Sequence, residues 1–122
     1  MRIAFAAAAL AVLTGGAMAH ETMSAERLAA AITGKSYTGV DPDTGEEIAT
    51  VVYATDGSSV LTFPDGREEA GSWRLDDDAY CTRYAAFRDN SENCFRLEPI
   101  ADGEAQAWYT DGRRALILRP AD

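Results

Sequence analysis

The chain has 122 residues, 47% of them hydrophobic, with 20 acidic side chains against 11 basic ones, a formal net charge of −9 and a single histidine. Such an acidic surface repels nucleic acid and anionic membranes, and the length bounds the chain to one domain of ordinary size. With His20 alone, a Ser-His-Asp or Cys-His arrangement is excluded unless the start of the chain folds back over a pocket.

The opening "MRIAFAAAALAVLTGGAMAH" has a positive start at Arg2, an apolar run from Ile3 to Leu13, a break at Gly15 and Gly16, and the small residues Ala17 and Ala19. This is the layout of a secretory signal peptide over residues 1–19, cut before His20. The apolar run is about half the roughly 20 residues of a membrane-spanning helix, so no membrane anchor is expected. The expectation is a periplasmic or secreted domain over residues 20–122, with a net charge near −10 once Arg2 is lost. His20 would become the new N-terminus, where its amine and imidazole could chelate copper in principle. A complete copper site would need a second histidine, so an incidental polar terminus is the favoured reading and no metal or other cofactor is expected.

"SAERLAAAITGK" predicts one helix over about 24–33, capped by Ser24 and ended by Gly34. The same stretch contains Gly34-Lys35-Ser36, the ending of a phosphate-binding loop. That motif needs a glycine where Ala29 stands, and it follows a strand rather than a helix. Next come "EIATVVYAT", "SSVLTF", "REEAGSWRL", "AYCTRYAAF", "CFRLEP", "EAQAWYT" and "RRALILR", with a further short strand expected at Lys35 to Thr38. Asp-Gly pairs at Asp56-Gly57, Asp65-Gly66, Asp102-Gly103 and Asp111-Gly112 punctuate these segments, and each is a hairpin signal. The fold class is therefore mainly β: a seven- or eight-stranded antiparallel meander, forming a small closed or half-open barrel with the helix beside it or plugging one end.

The two cysteines, Cys81 and Cys94, are read through the compartment. In an oxidising space a pair becomes a structural disulfide. A redox pair would more often be C-x-x-C, and a zinc site needs ligands the chain lacks. If the cysteines face each other across antiparallel strands, Tyr80 lies opposite Phe95 and Arg83 opposite Glu92, both favourable cross-strand pairs. The disulfide then occupies one sheet face and Tyr80, Phe95 and Leu97 the other, with the connection held in "RDNSEN".

The remaining polar clusters carry little chemistry. "DPDTGEE" fails as a calcium loop because Thr44 and Gly45 break the ligand order and Val52 stands where the terminal Glu belongs. Asp76-Asp77-Asp78 reads as a solvated strand connection. The arginines, accompanied by Lys35 as the single lysine, suit ion pairs within a sheet. Aromatic residues fall one or two per strand, as in an ordinary β core, with a ligand-stacking platform as the rival use.

"GSWRLDDDAYCTRY" with "ENCFRLEP", and upstream "GKSYTG" and "YATDGSSVLTF", resembles small exported bacterial proteins of unknown function. These share a signal peptide, a G-x-W ahead of a Tyr/Phe-Cys, a second cysteine about a dozen residues on, and Asp-Gly hairpins. The resemblance runs through Gly71, Trp73, Tyr80, Cys81 and Cys94 and is similar in layout to lipocalin-like and lysozyme-inhibitor-like barrels. It implies no catalytic residues. Two functions stay open: a non-enzymatic domain that binds a small ligand or an envelope protein, and an acidic inhibitor of a cationic hydrolase such as lysozyme. The second would present a protruding acidic loop at Asp76 to Asp78 or in "RDNSEN".

Overall fold

Eight antiparallel strands, each paired with its sequence neighbour, close into a barrel in the computed structural model, which describes residues 21–121. The proposed signal peptide and His20 lie outside the described residues. The strands are β1 (Lys35–Val40), β2 (Glu47–Tyr53), β3 (Ser58–Thr62), β4 (Glu68–Asp76), β5 (Ala79–Tyr84), β6 (Asn93–Pro99), β7 (Ala105–Tyr109) and β8 (Arg114–Pro120). Pairing of β1 with β8, from Tyr37 beside Pro120 to Val40 beside Ile117, closes the ring. The expected short strand at Lys35 is thus a full member that runs on to Val40. Alternate residues point into the bore, as the pleat requires: Tyr80, Thr82 and Tyr84 of β5 are all buried, while Arg83 between them is exposed.

Helix α1 (Ala25–Ile32) precedes the barrel and lies across the end at which β1 begins. The Ser24 hydroxyl accepts the Arg27 N–H, and Gly34 turns the chain at φ 73° so that its own N–H reaches the Tyr53 carbonyl. Leu28 and Ile32, one turn apart on one face, are completely buried in the core with Tyr53, Tyr80 and Leu97. Tyr37 fixes the plug from the barrel side, its hydroxyl donating to the Ala31 carbonyl at 2.5 Å.

The Asp-Gly pairs turn four hairpins by two routes. At Asp56-Gly57, Asp65-Gly66 and Asp111-Gly112 the glycine alone is left-handed, and its N–H returns to the residue three back, a type I turn closed by a glycine bulge. In each, the aspartate Oδ1 accepts the N–H two residues on, that of Ser58, Arg67 or Arg113. Asp102-Gly103 differs: both residues have positive φ, as a two-residue type I′ turn demands. A fifth hairpin turns at Asp77, also left-handed, between Asp76 and its partner Ala79. The ladder from β7 to β8 slips between Gln106 and Trp108. The buried Gln106 amide repairs the slip by donating to the carbonyls of Ala107, Ala115 and Leu116.

Cys81 and Cys94 are directly paired across β5 and β6 and form a disulfide, with Tyr80 beside Phe95 as the spacing requires. The next expected pair does not form. The ladder stops at Thr82 beside Asn93, and Glu92 instead takes a two-pronged contact from Arg74 of β4 at 2.8 and 3.0 Å. Arg83 turns to the Asn90 carbonyl at 2.7 Å. The reason is that Glu92 lies outside β6, so its carboxylate is not held opposite Arg83 and takes the guanidinium fork of Arg74 on β4 instead.

Candidate binding site in the barrel bore

With α1 across one end, the bore keeps a cavity of about 40 Å³ toward the other, room for about three waters. Small residues make it: Gly39, Ala49, Ala107 and Ala115 stand where larger side chains would fill a barrel of this size. Apolar walls come from Val51, Leu61 and Leu118.

Hydroxyl groups form its polar lining. Tyr53 donates to Tyr80 at 3.3 Å, and Tyr84 shares a hydrogen bond with buried Ser59 at 2.8 Å. Tyr84 reaches Ser59 across β4 because Gly71 lies between them in the ladder, beside Ser59 on one side and Tyr84 on the other. A Cβ at Gly71 would stand 2.4 Å from the Tyr84 ring and 2.3 Å from the Arg83 carbonyl oxygen. Burial raises the pKa of Tyr53, Tyr80 and Tyr84, so all three phenols stay neutral at physiological pH. The charge of Arg88 acts on each in the opposite sense, as the smaller effect.

The mouth is covered by the turn Phe87–Asn90, between β5 and β6. Arg88, Asp89 and Asn90 have φ of 57°, 59° and 59°. Asp and Asn adopt this left-handed geometry at small cost, whereas for arginine it costs about 1–2 kcal/mol. Glu69, at the start of β4, anchors the turn: its carboxylate accepts the N–H groups of Ala86 and of Phe87, the latter at 2.8 Å. These two bonds hold the Glu69 pKa below the ordinary carboxylate value. Phe87 packs on Phe63 and Tyr84. The guanidinium carbon of Arg88 lies 4.6 Å from the centre of the Phe87 ring, 5.4 Å from that of Phe95 and 5.8 Å from that of Tyr109.

Among the described residues, Arg88 is the one charged residue lining the cavity. Sequence reasoning placed it only in a polar loop and spread the aromatics evenly through the core. The grouping of Phe87, Phe95 and Tyr109 around one guanidinium depends on register and on the shape of the turn, which no local motif announces.

Other candidates fall elsewhere. Asp76 lies near both cysteine sulfurs, but the sulfurs are bonded to each other and offer no thiolate to a metal. The acidic run forms the tip of a tight hairpin: Asp76 and Asp77 are exposed, Asp77 is left-handed, and Asp78 is paired with Arg96 at 3.2 Å. Arginine ion pairs do decorate the sheet, among them Arg119 with Glu104 and Arg114 with Asp43. In comparison with family models and with curated proteins, the chain has no match.

Proposed function

We propose that this protein is an exported, non-enzymatic barrel that binds a small ligand in its bore, entering at the mouth covered by Phe87 and Arg88. The supporting observation is the unequal treatment of the two ends. At one, α1 buries two aliphatic side chains completely and is tied by Tyr37 and Gly34. At the other, a short turn with three left-handed residues rests on aromatic rings above a cavity lined by small residues and neutral hydroxyls. With room for about three waters, the bore suits a ligand of a few heavy atoms, and its entry requires the turn to lift and Phe87 to leave the mouth. Export is supported by the leader-like start of the sequence and fits the disulfide.

Thermal unfolding with a panel of small amphipathic acids, amines and alcohols tests the reading. A ligand that binds only the folded barrel adds about 2.7 kcal/mol at one hundred times its Kd, a shift of several degrees in Tm for a domain of this size. Ala107→Leu, which fills the bore, should abolish that shift. No stabilising ligand in the panel, or a shift that persists in Ala107→Leu, would count against the proposal.

A further inference from the structure

In a molecule with nearly two carboxylates for every basic side chain, an arginine without a partner is conspicuous. Arg67, Arg74, Arg96, Arg113, Arg114 and Arg119 each hold a carboxylate. Arg83 holds a backbone carbonyl. Among the described residues, Arg27 on the helix surface and Arg88 alone have guanidinium groups with no hydrogen-bond acceptor. Arg27 is exposed, whereas Arg88 is half-buried against aromatic rings and lines the cavity. A guanidinium carries five N–H donors in a rigid fork that matches a carboxylate. Aromatic faces attract its charge but accept none of these hydrogen bonds in the plane of the fork.

We propose that Arg88 is the anion receptor of the bore and that the ligand is a small organic monocarboxylate with an apolar body. This rests on the bore being the binding site, as proposed above. The carboxylate pairs with the Arg88 fork at the mouth, and the apolar body lies below it against Val51, Leu61 and Leu118. The charge count selects a monoanion, because one guanidinium faces the cavity and, among the described residues, no second cation lines it to balance a dianionic phosphate. Among the described residues no carboxylate lines the cavity to repel an acid, and the phenols within it are neutral.

The test is calorimetric titration of the folded protein with propionate and butyrate, whose two- and three-carbon bodies match a space of about three waters, against their neutral amides, propionamide and butyramide, at low and high salt. At least one acid should bind ten times or more tighter than its amide, and salt should weaken the acid selectively. Arg88→Gln should bring the ratio of acid to amide affinity close to one. Arg88→Lys, which keeps the charge and loses the fork, should give an intermediate ratio. Thermal unfolding of both variants establishes that they are folded. Equal binding of acid and amide by the native protein, or an acid preference that survives Arg88→Gln, overturns the proposal and leaves bore binding intact. If neither acid nor amide binds while another member of the panel stabilises the barrel, the carboxylate assignment falls alone. If nothing in the panel binds, both readings fall.

Discussion

Glu69 and Gly71 lie two residues apart on β4: one anchors the turn over the mouth, and the other leaves the space for a hydroxyl pair in the wall of the bore. Glu69 holds the turn through the Ala86 and Phe87 amides. A carboxylate whose pKa is lowered by folding stabilises above its unfolded pKa and loses that contribution as pH falls through the lowered value. The grip on the turn is therefore complete at neutral pH and fades below the ordinary carboxylate value of 4.5. In an NMR titration the Ala86 and Phe87 amide protons should move together with a midpoint under 4.5; a midpoint at or above it would remove Glu69 from this role. Gly71 leaves the space that the Tyr84 ring crosses to reach Ser59. Gly71→Ala should cost about 1–3 kcal/mol by overpacking, read as a lower Tm; unchanged stability would mean that Tyr84 has room to move aside. Neither role was legible in the sequence, where Glu69 sits among other acids and Gly71 reads only as part of a G-x-W. Both depend on which residue stands opposite in the ladder.

Among the elements, α1 and the pair of β5 with β6 stabilise the barrel by different means. The helix was legible because Ser24, the alanines and Gly34 are local signals, and the structure places it at Ala25–Ile32 between those caps. Its contribution comes from burying Leu28 and Ile32, so Leu28→Ala should lose about 2–5 kcal/mol. A loss under about 1 kcal/mol by denaturant unfolding would show that the helix is not a plug. Paired directly in register at only three positions, β5 and β6 are held together by the disulfide. Replacing both cysteines by alanine should lower stability by about 2–5 kcal/mol, and an unchanged Tm would contradict the structural role. The expected Arg83 and Glu92 contact failed for a physical reason. Cross-strand arithmetic holds only while both chains remain extended, and the left-handed run that starts at Arg88 ends the ladder first.

At the scale of the whole molecule, barrel and meander were legible because each hairpin carries its own turn chemistry, whereas closure was left open between closed and half-open. Closure depends on one seam, β1 with β8, which joins the two ends of the domain. Every other strand pair connects sequence neighbours. This has a consequence for the order of folding. Hairpins form from local contacts, so seven of the eight seams can assemble in turn as the chain becomes available, at little cost in loop closure. The seventh, β7 with β8, and the eighth, which closes the ring, both need the last strand. Until Arg114–Pro120 arrives, β1 and β7 are open edges with unpaired backbone groups, the kind of edge that recruits other chains. A chain ending before Arg114 should therefore keep hairpin structure by circular dichroism yet self-associate. If it remained monomeric and cooperative, the closing seam would not be the step that commits the barrel. The most exposed stage in forming this barrel is then the interval before β8 docks, and β5 and β6, which carry the disulfide, both precede it in the chain.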